Sequence, residues 1–432
     1  MEKSETDTKS GKGIWSSRRI RRLQNHFTYF AQNAPWTVVT TLVTGLSNYV
    51  IMILLMRFAG LEAVGQFRLL LSIVAMLALA SVLDTGKILI KYVVQEMPGV
   101  IRPLLVNRAL WSLIGVAAGL VVAAVQAYQD NPLAPAVAAA ALMLPLTFPF
   151  NLYAQILQAR REFRLNALIN LLKQTVIVAV VFVWLLLDWD VITLFIVYYA
   201  LRTAFNVWYM SWHFSEMRTV APESKKIVRE ATVLSGSGML QVVLDNIDKF
   251  LVSYFLGLEA LGLYAIGVST GKLLLSFVKP MLVVYLADLV DNRLSRRFQW
   301  LSFALLTLVG IVLTVIMGFF MSLVFKPDEM LAYPIAAVIW ISLGIYFVGV
   351  TKYYSSIYHK DSSLKVPVIT NLVSTPLIVG YLLLCLKFGG DYALILCAAS
   401  YPLRELINVV AISMLSRRYQ PGRTSEAPQA AE

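Results

Sequence analysis

Eight basic residues stand inside apolar stretches of this 432-residue chain: Lys87, Lys173, Arg202, Lys249, Lys272, Lys279, Lys352 and Arg404. Three segments concentrate the charge. Asp84, Lys87 and Lys91, spaced i, i+3, i+7, share one face of a helix. Asp245, Asp248 and Lys249 do the same at i, i+3, i+4, and Lys272 and Lys279 lie seven apart with Ser269 and Ser276 beside them. A lysine at the centre of a membrane helix costs roughly 2.5–3.5 kcal/mol on insertion scales, so the deep ones face a bundle interior or a water-filled cavity. The chemistry they offer is electrostatic, because lysine is a flexible point charge that can hold and release an anion such as phosphate. The pairs Asp84–Lys87 and Asp245–Lys249 have a plainer reading beside this one, mutual neutralisation within a helix. That reading does not extend to Lys272 and Lys279, whose helix offers no acid before Asp288.

Covalent and metal chemistry find little material. Cys385 and Cys397 are the two cysteines and both fall in apolar blocks; His26, His213 and His359 are scattered without ligand spacing. There is no Gly-rich phosphate loop, nucleophile elbow or metalloprotease helix motif. The expectation is a non-enzyme without cofactor or metal.

The elements that carry these charges are membrane helices. The chain is 58% hydrophobic and 14% charged with mean hydropathy +0.70, against about 45–50% and about 25% in soluble proteins. Apolar blocks near the ~20 residues of a spanning helix predict twelve spans: 36–56, 69–90, 104–127, 133–157, 167–187, 191–213, 233–256, 262–286, 300–325, 331–353, 366–386 and 391–415. With the amino-terminus inside, the inside segments collect 25 Lys and Arg residues. The outside segments hold only Arg57, Arg68, Lys326 and Lys387. Inside loops gather positive charge in this way, so both termini are expected to be cytoplasmic. The net charge of +12 and the pI near 9.5 then reflect topology, and no nucleic-acid partner is expected. The basic segment 1–35 holds no apolar stretch that could be a cleaved signal peptide.

The chain repeats itself. FAGLEAVGQF (Phe58–Phe67) returns as FLGLEALGLY (Phe255–Tyr264) at an offset of 197, and INLLKQTVIV (Ile169–Val178) resembles TNLVSTPLIV (Thr370–Val379) at 201, matching Asn170 with Asn371. Six helices separate the copies, an even number, so the halves run parallel about an axis along the membrane normal. Gly60 and Gly257 are expected to end a helix in the left-handed conformation. Gly65 and Gly262 would permit close helix packing, and Glu62 and Glu259 would cap the next helix start. The predicted organisation is a basic tail (1–35), an N-lobe of helices 1–6 (36–213), a linker (214–232), a C-lobe of helices 7–12 (233–415) and a second tail (416–432).

The doubled Gly-x-Glu-x-x-Gly-x-aromatic turn, YAQILQARREFRLNALINLL (Tyr153–Leu172) and LDNIDKFLVSYFLGLEALGLYA (Leu244–Ala265) carry a specific resemblance. The chain resembles the polysaccharide-export branch of the multidrug/oligosaccharidyl-lipid/polysaccharide exporter superfamily from about Pro35 to Leu415. That resemblance implies an all-α polytopic membrane protein with two six-helix lobes around a central cavity, lined by the second and eighth helices. It also implies a flippase that moves undecaprenyl-diphosphate-linked oligosaccharides across the bacterial inner membrane, with membrane lipids, a polymerase and other assembly proteins as partners. On this reading Lys87, Lys249, Lys272, Lys279, Lys173 and Arg202 line the substrate path, and Asp84, Asp245 and Asp248 are their charge partners or coupling groups. Three rivals remain: a cation-coupled drug exporter, a lipid II flippase with extra helices, and a membrane-embedded glycosyltransferase or polymerase. The drug exporter would use a carboxylate in the first helix, yet Trp36–Met56 holds no charged residue.

Topology is directly testable. Cysteine labelling at Asp130, Asp188, Glu259 and Lys326 is expected to report the outer side, and at Arg161, Lys225, Arg296 and Lys360 the inner side. One exchanged side among the eight breaks the twelve-span topology.

Overall fold

Two glycines set the architecture. In the computed structural model Gly60 has φ 88°, ψ 175° and Gly257 has φ 88°, ψ 177°. Positive φ with extended ψ is a region essentially restricted to glycine. The sequence expectation of a left-handed helix end is therefore corrected: φ is positive, but ψ is extended. Each glycine splices two helices without any intervening loop. As a result the second helix starts at about residue 61 rather than 69, and Arg68 lies inside it rather than in an outer loop.

The structure describes residues 10–82, 84–95, 97–214, 223–290, 296–358 and 365–419. The side chain of Lys279, together with Lys360, Asp288 and parts of the two tails and the linker, lies outside the described residues. Twelve helical spans follow in chain order. These are α1 (10–59), α2 (61–94, interrupted at residue 82), α3 (Ile101–Tyr128), α4 (134–159), α5 (Phe163–Leu186), α6 (Val191–Ser211), α7 (224–256), α8 (258–290), α9 (Arg296–Val324), α10 (332–358), α11 (Lys365–Phe388) and α12 (393–419). Among the described residues eight segments are long and apolar enough to cross a membrane, and two bent pairs, in α10 and α12, meet the same length and composition when each is taken as one span. Two of the eight, Pro35–Ser81 and Ser224–Leu273, are 47 and 50 residues long. At 1.5 Å per residue each would run about 70 Å, over twice the ~30 Å hydrocarbon thickness. Each therefore holds two spans, folded at its glycine, which brings the count to twelve.

The two turns also hold the halves together. A Cβ at Gly65 would collide with the backbone carbonyl of Leu258, and one at Gly262 with the carbonyl of Leu61. The contact is reciprocal, as a two-fold arrangement of equivalent elements requires. The other repeat landmark has a fastening role: Asn170 Nδ2 donates to Thr40 O at 3.0 Å and to Thr44 Oγ1 at 2.9 Å, tying α5 to α1. Cys385 and Cys397 are buried and free. Outward faces are apolar, with Leu305, Leu308, Val315 and Phe319 of α9 more than half exposed, as suits a surface solvated by lipid.

Gly60→Ala and Gly257→Ala are each expected to destabilise the protein by about 1–3 kcal/mol through backbone strain. Gly236→Ala, in a helix with no atom within 4 Å of a new Cβ, should be neutral or slightly stabilising. Thermal unfolding of the purified protein reads all three. An unchanged midpoint for Gly60→Ala contradicts the assigned backbone.

Candidate functional site

The charges of the bundle fall into two clusters and one latch. In the C-lobe, Asp248 and Lys249 of α7 are buried, at 3% and 1% side-chain exposure, and pair at 2.6 Å. Asp248 also accepts hydrogen bonds from Tyr264 and Tyr401, both at 2.9 Å. The ammonium of Lys249 additionally donates to the backbone carbonyl of Asp245. The carboxylate of Asp245 turns elsewhere and binds Arg404 of α12 at 2.6 Å. The intrahelical Asp245–Lys249 pair expected from spacing is thus corrected, since spacing along one helix cannot reveal a partner brought by another. Lys272 of α8 sits over the Tyr401 ring at 4.5 Å, a cation–π contact, and within electrostatic reach of both aspartates.

Arg68 joins this cluster from the other lobe, within electrostatic reach of Lys249 and Lys272, and its Nε has no hydrogen-bond partner. Glu405, next to Arg404, packs against Gly349 and interacts with Asn408. The C-lobe cluster is therefore mixed in sign, with cations Arg68, Lys249, Lys272 and Arg404 set against Asp245, Asp248 and Glu405.

The N-lobe cluster differs in kind. Lys173 of α5, 7% exposed, donates to the Tyr153 hydroxyl at 3.1 Å. Arg202 of α6 lies within electrostatic reach of Lys173 and of the hydroxyls of Tyr153, Tyr198 and Tyr199. Among the described residues no carboxylate lies within ion-pair distance of either cation. Beside them Asn206 Nδ2 donates to Thr147 O at 3.0 Å, while its Oδ1 is buried without a partner. Among the described residues the two cations share this site with hydroxyls, aromatic rings and the Asn206 amide.

These two clusters are related by a further repeat in the sequence. Segment 198–208 reads YYALRTAFNVW and segment 400–410 reads SYPLRELINVV, matching Tyr199 with Tyr401, Arg202 with Arg404 and Asn206 with Asn408 at an offset of 202. The signal for it lies in the sequence, at nearly the same offset as the glycine turns.

The third feature is a break in α2. The helix stops at Ser81, Val82 adopts φ 50°, ψ 67°, and helix resumes at Thr85. Left-handed geometry is an outlier for a β-branched residue. The interruption is held by neighbours. Arg108 Nε of α3 donates to the Ser81 carbonyl at 3.1 Å, and the Asp84 amide donates to Ser235 Oγ of α7 at 3.0 Å. Arg108 is buried within the bundle, where a carbonyl freed by the break needs a donor. Lys87 pairs with Asp84 at 2.8 Å but is 60% exposed. Lys91 pairs with Glu230 of α7 at 3.2 Å instead of sharing Asp84, and Tyr92 donates to the same carboxylate at 3.1 Å.

Lys87 thus stands beside the 230–238 stretch of α7, roughly 17–28 Å along that helix from Lys249 at 1.5 Å per residue. The expected single surface of Lys87, Lys249 and Lys272 does not form. Lys249 and Lys272 come together; Lys87 belongs to the latch between α2 and α7; Lys173 and Arg202 form their own pair.

Comparison with known proteins fits this geometry. The polysaccharide biosynthesis protein family matches residues 30–286, more than half of the chain. The chain belongs to that family. No curated protein sequence matches it. Its fold is that of the MOP superfamily transporters. An inward-facing multidrug resistance MATE family transporter superposes with TM-score 0.67 at 12% identity, covering 88% of this chain and 96% of the other. A transporter from Pyrococcus furiosus, described as having a binding pocket of reverse polarity that suggests a different function, superposes with TM-score 0.62 at 10% identity, covering 90% and 95%. This member of the polysaccharide biosynthesis family is therefore a multi-span helical membrane protein with the architecture of an exporter.

The buried Asp248–Lys249 pair yields a stability prediction. Lys249→Met removes the ion-pair partner of a buried carboxylate, and is expected to cost about 3–5 kcal/mol. Lys249→Met combined with Asp248→Asn should recover most of that loss. Yield and thermal midpoint of the purified variants check it, and a single variant as stable as the double one refutes the pairing.

Proposed function

We propose that this chain is a flippase for undecaprenyl-diphosphate-linked oligosaccharide repeat units, working by alternating access across the bacterial inner membrane. It would serve assembly of O-antigen, capsule or exopolysaccharide, with both termini cytoplasmic and a polymerase acting on its product. The observation that carries this reading is the sign of the interior. Arg68, Lys173, Arg202, Lys249, Lys272 and Arg404 outnumber Asp245, Asp248 and Glu405, and α1 holds no charge from Trp36 to Met56. A drug cation would be repelled by such a surface, whereas a diphosphate gains from it. One charge pair at ~4 Å contributes roughly 4 kcal/mol at an effective dielectric of about 20, before desolvation is subtracted. Membership of a polysaccharide biosynthesis family and an exporter fold support the same reading, and so does the reversed pocket polarity described for the Pyrococcus furiosus relative in fold.

In this mechanism the cations hold the headgroup while the hydrophilic glycan is shielded from lipid. The lobes then rock about the joint formed by the Gly60 and Gly257 turns, and Asp245 and Asp248 set the resting charge or couple to an ion.

Deleting the gene in a strain that still makes the glycan is expected to trap lipid-linked repeat units in the inner leaflet and abolish surface polymer. Lys272→Ala should reproduce that loss at normal protein level, and Lys272→Arg should retain much of the transport. Normal surface polymer together with new sensitivity to cationic dyes favours the drug-exporter reading instead.

A further inference from the structure

Internal repetition supplies a control within the molecule. The halves share the glycine splice, with φ 88° in both copies, and the tyrosine–arginine–asparagine pattern of α6 and α12. Equivalent positions can therefore be compared directly. In the C-lobe, Arg404 is closed by the carboxylate of Asp245 at 2.6 Å. At the offset of 197 that relates the two splices, the N-lobe position matching Asp245 is Asn48, and the positions matching Asp248 and Lys249 are Ile51 and Met52. The N-lobe keeps the arginine and lacks the carboxylate. It adds a second cation, Lys173, where the α5/α11 offset of 201 places Ser374 in the C-lobe. Asn48 lies on an exposed face of α1, and Asp245 keeps 42% side-chain exposure despite its ion pair. Both positions thus border open space.

From this asymmetry we infer that Asp245 occupies in the C-lobe the place that the substrate's diphosphate takes in the N-lobe. The Lys173–Arg202 pair is the anion seat; the matching C-lobe seat is closed by the protein's own acid. The inference rests on the proposed function and narrows it, from a generally cationic interior to one lobe. Among the described residues the two cations have hydroxyl partners and no carboxylate within ion-pair distance, and a diphosphate presents two negative groups that could meet both. Tyr153, whose hydroxyl already accepts from Lys173, fixes that ammonium in place.

The test is binding by the purified full-length protein in detergent, with undecaprenyl diphosphate and inorganic pyrophosphate titrated separately. Arg202→Gln and Lys173→Gln are each expected to weaken binding at least tenfold, and Arg202→Lys to recover part of the loss. Asn48→Asp, which builds the C-lobe arrangement into the N-lobe, should weaken binding at least tenfold, while Asn48→Gln should weaken it far less. The charge-neutral double change Arg404→Gln with Asp245→Asn should cost less than Arg202→Gln alone. Loss with both ligands assigns the seat to any diphosphate, and loss with the lipid alone assigns it to the lipid headgroup; either result supports the seat. A wild-type protein that binds neither ligand removes the flippase reading, and this inference with it. A wild-type protein that binds, with Arg202→Gln and Asn48→Asp binding equally well, overturns the N-lobe seat while leaving the flippase reading intact. A double C-lobe change as costly as Arg202→Gln overturns it too. Should Asn48→Asp fail to fold, Arg202→Gln against Arg202→Lys decides the matter alone.

Discussion

A charge carried into hydrocarbon must find a counter-charge, water or hydrogen-bond partners, because the medium supplies none. The two lobes meet that constraint differently. The C-lobe satisfies Lys249 with Asp248, Asp248 with two tyrosine hydroxyls as well, and Arg404 with Asp245. Its network closes on itself. The N-lobe gives Lys173 a tyrosine hydroxyl and leaves Arg202 among rings and hydroxyls. Hydroxyl partners lessen the desolvation cost but do not cancel a charge, so the N-lobe stays receptive to an anion in a way that the C-lobe does not.

Backbone geometry places these networks where they can meet. Gly60 and Gly257 splice successive spans without a loop, so α2 and α8 leave the turns already facing one another, and Gly65 and Gly262 let each backbone touch the opposite carbonyl. Arg68 lies just beyond this contact, which is how an N-lobe guanidinium comes within reach of Lys249 and Lys272. At the other end of α2 the helix is interrupted at Val82 and held by Arg108, and the following segment is fastened to α7 through Ser235 and Glu230. The first contact is a dry backbone fit that fixes an axis. The second is polar and partly exposed, and hydrogen bonds of that kind exchange with water at small net cost. An alternating-access cycle needs one end that pivots and one that opens, and these contacts differ in the required sense.

Much of the fold was legible in the chain because bilayer physics writes itself in long apolar blocks and loop charge. The parallel repeat was legible because glycine at φ 88° has no substitute, so both copies keep the same letters at 60 and 257. The break at Val82 was not legible. No Gly or Pro marks it, and its support comes from Arg108 and Ser235, which only the packed bundle brings near. Pairing inside the C-lobe was misread for the same reason: one helix face suggests Asp245–Lys249, whereas α12 brings Arg404 to Asp245. Arg68 reads as a loop residue because apolar patterning assigns no helix to the first two turns after a splice. The Tyr–Arg–Asn pattern of α6 and α12 was present in the letters throughout, and was hidden only by the apolar residues between its fixed positions.

That pattern gives the duplicated architecture its meaning for charge. Two arginines occupy matching positions of the repeat, one in α6 and one in α12, so their surroundings can be compared position by position. Asp245 stands opposite one and Asn48 marks the matching register on the other. An amide in place of a carboxylate removes a full charge while keeping size and hydrogen-bonding capacity, the smallest change that opens an ion pair. A lobe that supplies its own counter-ion is stable when empty. A lobe that does not is stabilised by whatever anion arrives, and differential stabilisation of that kind is the only way in which a ligand can shift a transporter between its conformations. If the N-lobe pair is the proposed anion seat, the asymmetry between Asp245 and Asn48 would serve both recognition and the coupling between occupancy and movement.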